Sequence, residues 1–334
     1  MSVAFAIALG RVAIVVVLVA SSAGRVEARG SRSPAVHGTS YRPLYADIVI
    51  DGNSGQVLHD VSADEPRHPA SLTKIMTLYL LFEQLDAGAL KLDTQLPVSA
   101  KAALAPPTRL GLKAASTVTV EDAIGGMVTR SANDVAVVVS EALGGSEGDF
   151  AKLMTRKARA LGMTGTTYVN ASGLPDDEQI TTARDQAILG RAILDRFPGY
   201  YAYFSLPNYR YRGKDLHNHN SLLGNLDGVD GIKTGYTEAS GYNLALSVHR
   251  SKKYVVAVVL GGTSNAERDA RMRQLIEQNI PLATTLRTAP LIVESAALDK
   301  ADTDATAPVR IQSVPQAAPG AGIVKGSFIK DNFE

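Results

Sequence analysis

The chain has 334 residues, with 34 Lys and Arg against 33 Asp and Glu, so its formal net charge is +1. This length and an apolar fraction of 45% allow one large domain or two modest ones, and the near-neutral charge gives no field that would collect nucleic acid. Cys and Trp are absent, which excludes disulfides, thiolate metal sites and a Cys nucleophile, so any covalent chemistry must use Ser, Thr, Lys or a carboxylate.

The N-terminus has the pattern of a secretory signal. Arg11 precedes an apolar run at 12–20 that is followed by small residues, so residues 1–28 are predicted to be a signal peptide cleaved near Ala23 or Ala28. The run is too short to span a bilayer, and the alternative, an uncleaved anchor starting at the first residue, would bury Arg11 at high cost. We therefore expect a mature protein that is exported across the inner membrane and is periplasmic.

The mature chain begins with a lead-in, a strand pair and a helix. Residues 29–44 are rich in Ser, Arg, Gly and Pro, which predicts a flexible lead-in. Apolar alternation predicts two strands at 46–50 and 56–58, joined by a Gly-containing turn. A helix is expected to follow Ser71, because apolar residues recur on one helical face as far as Gly88.

Three more helices are predicted in the middle of the chain. A capping box that starts at Thr119 opens the first, and an interruption at 129–133 separates it from a second over 134–143. A third covers 149–161 and is closed by Gly162.

The C-terminal part returns to strands. Two apolar runs at 242–250 and 254–260 predict an antiparallel hairpin, and 267–280 predicts a closing helix. Strands at both ends with helices between them indicate an α/β (α+β) fold, in which an antiparallel sheet built from both ends of the domain packs against a helical subdomain. Residues 286–334 are rich in Ala and Pro and are predicted to be a disordered tail, which leaves 45–285 as the folded domain.

Ser71 and Lys74 are one helical turn apart, so their hydroxyl and amine project from the same face at the start of the predicted helix. A Lys whose pKa is lowered by burial or by a second cation can take the serine proton. The spacing alone is weak evidence, because Ser327 and Lys330 in the tail share it. The interpretation therefore depends on the other groups that accompany this pair.

Two further triplets supply complementary groups. Ser131-Ala-Asn133 falls in the predicted helix interruption, and Lys233-Thr234-Gly235 falls just before the C-terminal hairpin. They add a second hydroxyl that can relay a proton, an amide donor, and a cation with a hydroxyl that can hold a carboxylate. Three triplets in this order indicate a site for nucleophilic catalysis by serine.

With these triplets the sequence resembles the serine D-alanyl-D-alanine carboxypeptidases among the low-molecular-mass penicillin-binding proteins, whose fold is β-lactamase/transpeptidase-like. The resemblance covers roughly residues 40–285. Further matching blocks are Leu112-Lys113, Ser131-Ala-Asn-Asp134, Asn170-Ala-Ser-Gly173-Leu174-Pro175, Thr182-Ala-Arg-Asp185 and Asp230-Gly-Ile-Lys233. Residues 45–285 would then be the catalytic domain of a serine DD-peptidase.

The resemblance implies a role for each group in forming the acyl-enzyme. Ser71 would be the nucleophile and Lys74 its general base. Ser131 would relay the proton to the leaving D-alanine, and Asn133 would hold the peptide amide. The backbone N–H groups of Ser71 and Tyr236 would form the oxyanion hole.

The resemblance also implies how the terminal carboxylate of the substrate is bound. Lys233 and Thr234, in the triplet completed by Gly235, would bind that carboxylate. Arg268 would assist, although a surface position on the closing helix explains that residue equally well. The implied partners are peptidoglycan stem peptides ending in D-Ala-D-Ala and β-lactam antibiotics as covalent inhibitors, with no cofactor and no metal, in a pathway of cell-wall biosynthesis that affects cell shape.

Other activities remain as alternatives. A DD-endopeptidase uses the same acyl chemistry, and only the shape of the cleft around the leaving amine separates the two. A class A β-lactamase would need a Glu-x-x-Leu-Asn loop, which the chain lacks, and the segment 173–178 resembles the carboxypeptidase version instead. Penicillins should therefore leave Ser71 slowly. An inactive peptidoglycan-binding protein would not need all the catalytic side chains.

Three features stay open. His217 and His219 have a spacing that suits a strand as well as a zinc ligand pair, and we expect no zinc. The tyrosines between 200 and 211 either pack a hairpin or form a rim for glycan or peptide, and we favour packing. The second β-rich domain and the C-terminal amphipathic helix of such carboxypeptidases are not legible, and because 323–334 is too short for a firm anchor, membrane association is undecided.

Overall fold

The computed structural model describes residues 43–294; the predicted signal peptide, nearly all of the lead-in and the chain from 295 onward lie outside these described residues. The strands are β1 (Ala46–Asp51), β2 (Val57–Val61), β3 (Gln95–Pro97), β4 (Thr117–Thr119), β5 (Asn208–Tyr211), β6 (Lys214–His217), β7 (Val229–Thr237), β8 (Gly241–Arg250) and β9 (Lys253–Gly262). The helices are α1 (Thr73–Asp86), α2 (Ala100–Ala103), α3 (Val120–Thr129), α4 (Asn133–Gly144), α5 (Glu147–Ala160), α6 (Ala183–Arg196), α7 (Pro198–Tyr201) and α8 (Asn265–Asn279). Short 3-10 turns lie at Ala70–Leu72, Ala202–Ser205 and Ile280–Leu282.

The main sheet has five strands in the order β2-β1-β9-β8-β7, and every neighbouring pair is antiparallel. The predicted pairs β1–β2 and β8–β9 are confirmed, and so is the prediction that both ends of the domain build one sheet. The helical elements α1 to α7 come from the chain between β2 and β7. This order leaves β7 at one edge of the sheet, where no strand from residues 43–294 pairs with its outer side.

Both faces of the sheet are covered by helices. On β9, Val255 and Val259 belong to a buried cluster with residues of α8, whereas Val256 and Val258 belong to a second cluster that contains α1 and α6. Successive side chains of a strand point to opposite faces, so a sheet that is buried on both sides needs apolar residues at every position. This explains why β8 and β9 read as nearly continuous apolar runs in the sequence.

Helix α1 lies in the middle of the helical part. Every residue from 73 to 82 is buried, and the helix packs against α4, α5 and α6. A helix that is buried around its whole circumference must be apolar on all sides or must satisfy each polar group inside the protein. Lys74 is such a polar group, and it is fully buried on this helix.

The helix starts follow the expected caps. Thr119 Oγ1 accepts a hydrogen bond from the backbone N–H of Asp122 at 3.0 Å, which begins α3 where the capping pattern predicts it. Helix α6 is absent from the sequence-based prediction, although Thr182 caps it in the same way by accepting from the N–H of Asp185 at 3.0 Å. The cap residue was therefore a usable signal for the start of this helix.

The chain from 286 to 294, which the sequence assigns to the tail, lies against the folded domain. The N–H groups of Thr288 and Ala289 donate to the carbonyl of Asn53, at 3.0 and 2.9 Å. Ile292 packs on the main core. Ala- and Pro-rich composition suggested too little buried apolar surface for order, but here backbone hydrogen bonds and an ion pair hold the segment as well.

The ion pair is formed by Glu294 at the end of this segment. Lys157 of α5 lies between two carboxylates, with its Nζ 2.7 Å from Glu83 and 2.6 Å from Glu294. The Tyr79 hydroxyl also donates to Glu294, at 3.2 Å. One lysine therefore joins α1, α5 and the C-terminal segment.

The tyrosine-rich stretch contributes to packing. Tyr200 stacks on Phe82 with ring centroids 5.3 Å apart, and Tyr201 is buried in the core. The Tyr209 hydroxyl donates to Asp122 at 2.7 Å. These contacts favour the packing interpretation over a rim for glycan or peptide. Within residues 43–294, no helix is both long enough and apolar enough to cross a membrane.

Replacing Lys157 with Ala should destabilise the domain, because Glu83 and Glu294 would then face each other without a cation. We expect the free energy of unfolding to fall by about 2 kcal/mol, below the value for a fully buried pair because these side chains are partly exposed. Urea unfolding at neutral pH measures the loss. Lys152→Ala is the control, since Lys152 lies on the same helix and pairs only with exposed Asp149; equal losses in the two variants would contradict the role of the cluster.

Candidate active site

Ser71 lies in the turn that leads into α1. The preceding residue, Ala70, has a φ of 47°, a left-handed conformation that is strained for a residue with a side chain. Asn243 of β8 supports the turn, since its side-chain amide donates to the carbonyls of His68 and Pro69 at 3.0 and 3.1 Å. The nucleophile predicted from sequence is thus held by a strained turn that the sheet fixes in place.

Lys74 lies beside Ser71, as the spacing predicts. The distance between Lys74 Nζ and Ser71 Oγ is 3.1 Å. The same Nζ donates to Asn133 Oδ1 at 2.7 Å and to the carbonyl of Ser172 at 2.6 Å. The amine therefore contacts three oxygen atoms from three separate segments.

The environment of Lys74 favours a neutral amine. Burial lowers the pKa of Lys74 well below its ordinary value, and the positive charge of Lys233 lowers it further. The carboxylate of Asp134 acts in the opposite direction. Desolvation is the largest of these effects, so the pKa of the amine is set mainly by how completely the protein excludes water from it.

Ser131 lies in the break between α3 and α4, with a left-handed φ of 57°. Its side chain is buried and faces the cavity described below, and its hydroxyl has no hydrogen-bond partner among the described residues. Its carbonyl accepts from Thr108 Oγ1 at 2.9 Å, which ties the break to the neighbouring loop. A buried hydroxyl without a partner is costly, so this one is available to a substrate.

Asn133 begins α4 and lines the same cavity. Its Oδ1 accepts from Lys74, and its Nδ2 donates to the carbonyls of Pro106 and Pro107 at 3.0 and 3.2 Å. The sequence-based prediction uses this amide to hold a peptide. In the structure the amide also joins the Lys74 amine to the loop that forms one wall of the cavity.

The Lys233-Thr234-Gly235 triplet lies on the edge strand β7. Lys233 is buried, and its Nζ donates to the carbonyl of Thr234 at 2.9 Å. Burial, together with the charge of Arg268, lowers the pKa of Lys233 to about 7. A Cβ on Gly235 would lie 3.0 Å from the backbone nitrogen of Ser71, so only glycine lets the strand come this close to the turn.

Arg268 and Tyr236 both line the cavity described below. Arg268 is only 2% exposed, which contradicts the alternative of a surface helix position. Its guanidinium donates to Asp269 Oδ1 at 2.7 and 2.9 Å and to the carbonyl of Asn243 at 3.3 Å. Tyr236 is 54% exposed and packs against Tyr242 with ring centroids 4.3 Å apart.

These residues surround a cavity of about 580 Å³. All nine of the predicted site residues are brought together here, seven as lining residues and two, Lys74 and Lys233, directly behind the lining. The lining residues are Ser71, Pro107, Thr108, Ser131, Asn133, Gly173, Leu174, His219, Thr234, Gly235, Tyr236, Thr237, Tyr242, Asn265 and Arg268. Lys74 and Lys233 are 0% and 2% exposed.

Several of these contributors were missed by sequence reasoning. His219 lines the cavity, and burial together with the charge of Lys233 lowers its pKa to about 4. The carbonyl of Ser172 reaches Lys74, although a backbone acceptor carries no signal in the residue type. The block Asn170 to Pro175 was the only available signal, since it matched the family pattern.

The described residues contain no group of three or more His, Asp or Glu side chains that could hold a metal ion. His217 bonds to Asn208 Oδ1, whereas His219 faces the cavity. The two histidines therefore have different surroundings and do not form a ligand pair.

Sequence comparisons with known proteins identify the family to which the chain belongs. A family model described as D-alanyl-D-alanine carboxypeptidase, peptidase family S11, matches residues 42–264. The chain is 36% identical to the D-alanyl-D-alanine carboxypeptidase DacA of Escherichia coli, over 69% of this chain and 59% of that protein. It is 33% identical to DacF of Bacillus subtilis, over 69% of this chain and 60% of that protein. The chain belongs to this family of D-alanyl-D-alanine carboxypeptidases, and it spans about 60% of the length of these two relatives.

Solved structures support the same fold. The carboxypeptidase DacD from Francisella tularensis superposes with a TM-score of 0.67 at 30% identity, covering 75% of this chain and 74% of that one. Penicillin-binding protein D2 from Listeria monocytogenes, in a cefotaxime-bound form, gives a TM-score of 0.64 at 33% identity and covers 70% and 95%. The predicted family and the predicted β-lactamase/transpeptidase-like fold are therefore confirmed.

Gly173 packs directly against the backbone of the turn that contains Ser71. The residue has a φ of +81°, and a Cβ at this position would lie 1.8 Å from the carbonyl oxygen of Ala70. Gly162 has a similar φ of +86°, but nothing lies within 4 Å of its Cβ position. The two glycines therefore share the backbone conformation and differ in the space around them.

Gly173→Ala should lower the free energy of unfolding by about 3–4 kcal/mol, since left-handed strain adds to the displacement of packed backbone. Gly162→Ala should cost only the strain, about 1–2 kcal/mol. Urea unfolding of both variants checks the difference. Equal losses would mean that the turn at Ser71 can move away from the 170–175 segment.

Proposed function

We propose that this protein is a serine D-Ala-D-Ala carboxypeptidase that removes the terminal D-alanine from peptidoglycan pentapeptide stems through an acyl-enzyme on Ser71. The observation that carries the proposal is the buried Lys74 amine, which lies 3.1 Å from Ser71 Oγ. Ser71 lines a cavity that is also lined by Thr234 and Arg268. A base, a nucleophile and a carboxylate site at one cavity are what hydrolysis of a C-terminal peptide bond needs. Family membership agrees with this chemistry.

The first step forms the acyl-enzyme. The neutral Lys74 amine accepts the proton of Ser71 Oγ, and that oxygen attacks the carbonyl carbon of the penultimate D-alanine. The developing oxyanion is stabilised by the backbone N–H groups of Ser71 and Tyr236, which the close approach of Gly235 to the turn supports. The tetrahedral intermediate then collapses, and the bond to the terminal D-alanine breaks.

The leaving D-alanine departs as an amine and therefore needs a proton. Ser131 relays it, because its hydroxyl has no partner among the described residues and it lines the cavity with Ser71. The carboxylate of the terminal D-alanine is held by Thr234 and by the positive charges of Lys233 and Arg268. A water molecule then hydrolyses the ester, which restores the Ser71 hydroxyl and releases the shortened stem.

We propose the same route for β-lactams as covalent inhibitors. A β-lactam presents a strained amide and a carboxylate at the spacing of the D-Ala-D-Ala end, so Ser71 opens the ring and keeps the acyl group. Structures of the similar Listeria protein are described as cefotaxime-bound and ampicillin-bound forms. The chain has no Glu-x-x-Leu-Asn loop to activate water, so the acyl group is expected to leave slowly.

Ser71→Ala should abolish both labelling by a fluorescent penicillin and release of D-alanine from a diacyl-Lys-D-Ala-D-Ala peptide. The reason is that no other group can form the acyl-enzyme, and we expect a loss of at least about 10³-fold in the rate of release. Gel fluorescence and an assay for free D-alanine measure the two activities. Ser327→Ala in the second Ser-x-x-Lys sequence is the matched control and should keep both.

Other results of the labelling and D-alanine assays would favour one of the alternative functions. Labelling without release from the small peptide would favour the DD-endopeptidase, to be tried on crosslinked peptide dimers. Rapid loss of the label would favour a β-lactamase. Absence of labelling and release would overturn the enzyme proposal and leave a peptidoglycan-binding protein.

We also propose that the protein acts in the periplasm, in peptidoglycan biosynthesis and the control of cell shape. The signal pattern of residues 1–28 supports export, and the proposed substrate is part of the cell wall. Fractionation of cells that express the full chain, followed by N-terminal sequencing, should find a periplasmic form that begins after Ala23 or Ala28. Leu18→Arg, which interrupts the apolar run, should leave the precursor in the cytoplasm, and an uncleaved wild-type chain would contradict the proposal.

A further inference from the structure

When the Lys74 amine is neutral, its three oxygen neighbours allow only one placement of its two N–H groups and its lone pair. A neutral amine has two N–H donors and one lone pair, whereas an ammonium has three donors. Asn133 Oδ1 and the carbonyl of Ser172 can only accept, so they take both N–H donors. The lone pair is then directed at the remaining neighbour, the hydroxyl of Ser71, which is the direction that proton abstraction needs.

The position of the Ser172 carbonyl is therefore part of how the base is oriented. Ser172 belongs to the segment 169–173, which we call the base loop. Within it, Asn170 Oδ1 accepts from the backbone N–H groups of Ser172 and Gly173, at 3.2 and 2.7 Å. The base loop is thus folded around the side chain of Asn170.

One buried side chain joins the base loop to α1. Gln179 Oε1 accepts from the N–H groups of Val169 and Asn170, at 3.0 and 2.9 Å. Gln179 Nε2 donates to Asn170 Oδ1 and to Thr73 Oγ1, both at 3.2 Å. Because the two backbone groups are donors, the orientation of the amide is fixed by its partners.

Gln179 is 2% exposed, and both ends of its amide are fully used. Its partner Thr73 is the residue directly before Lys74 on α1. The amide therefore spans from the base loop to the helix turn that carries the base. Gln179 itself is not one of the residues that line the cavity.

We propose that Gln179 is a positioning residue for the general base, because its buried amide holds the base loop against α1 so that the Ser172 carbonyl and the loop backbone close over the Lys74 amine. This inference rests on the proposed function, in which Lys74 takes the proton of Ser71. It assigns a catalytic consequence to a glutamine that lies outside the three sequence triplets.

Loss of the Gln179 amide would change the access of water to Lys74 but not the charges around it. The charged or titratable groups that face it are Lys233 from β7, Asp134 from α4 and His219 from the cavity wall. Gln179 is neutral, so replacing it changes none of these charges. It loosens the cover over Lys74 and admits water, which weakens the desolvation that depresses the pKa of that amine.

Loss of the Gln179 amide should move the acidic limb of the pH–rate profile to higher pH. The base must be unprotonated, so the rate of acylation falls as the pH drops through the pKa of Lys74. If water reaches the amine, that pKa rises toward its ordinary value and the acidic limb of the pH–rate profile moves to higher pH. A shift of ~1 pH unit lowers the rate about tenfold on the acidic side of the limb and leaves the plateau less affected.

The experiment compares Gln179→Ala with the wild-type protein by the second-order rate of acylation with a fluorescent penicillin across pH. The control is Gln186→Ala, since Gln186 is a fully buried glutamine whose Nε2 donates to Thr181 Oγ1 at 2.9 Å and makes no bond to the base loop. We expect Gln179→Ala to move the acidic limb upward, and Gln186→Ala to lose stability without moving it. An unshifted limb in Gln179→Ala, or equal shifts in both variants, would overturn the proposal.

A milder variant covers the case in which Gln179→Ala does not fold. Thr73→Val nearly keeps the volume of the side chain and removes the hydroxyl that accepts a hydrogen bond from Gln179. It should move the limb in the same direction by a smaller amount. No movement in a folded Thr73→Val protein would then count against the proposal.

A direct titration separates this inference from the proposed function. Lysine labelled with ¹³C at Cε reports the protonation of Lys74 by NMR, with Lys74→Arg used for assignment. If the wild-type protein fails to react with penicillin, the proposed function fails, yet the NMR titration still decides whether Gln179→Ala raises the pKa of Lys74. An unchanged Lys74 titration in that variant would overturn the positioning role whatever the activity.

Discussion

The whole site depends on keeping the Lys74 amine away from water. An amine that loses its hydration favours the neutral form, and only a neutral amine can take a proton from a serine hydroxyl. Complete burial is therefore the property that makes a lysine useful here, and it requires acceptors inside the protein for the two N–H groups. Asn133, at the start of α4, and Ser172, in the loop between α5 and α6, provide them.

The fold provides this burial by placing α1 at its centre. The helix packs against α4, α5 and α6, and every residue of its first turn is buried. The edge strand β7 packs against the turn that contains Ser71, where Gly235 leaves room for the backbone of that turn. Among the described residues β7 pairs only with β8, and residues 234–237 of β7 line the cavity.

The C-terminal segment up to residue 294 extends this arrangement beyond the core. It crosses from the β1–β2 turn at Asn53 to the helices, where Glu294 meets Lys157. Lys157 also binds Glu83 on α1, so the segment is connected to the helix that carries Lys74. Composition alone placed this segment in the tail because Ala and Pro offer little apolar surface, and the hydrogen bonds and the ion pair that hold it are not visible in composition.

The sequence by itself determined the family, the residue types that can perform the chemistry and most of the secondary structure. Local signals were sufficient for these, since the Ser71–Lys74 spacing follows helix geometry, Thr119 marks a helix start, and apolar runs mark the buried hairpin. Helix α6 was missed, although its cap residue Thr182 was a local signal for its start. Only the tertiary structure decided that Arg268 is buried at the cavity, that Ser172 offers its carbonyl to Lys74, and that Gln179 holds the loop that carries it. These relations join residues about a hundred positions apart in the chain, and they arise from burial and backbone geometry, which residue types do not encode one position at a time.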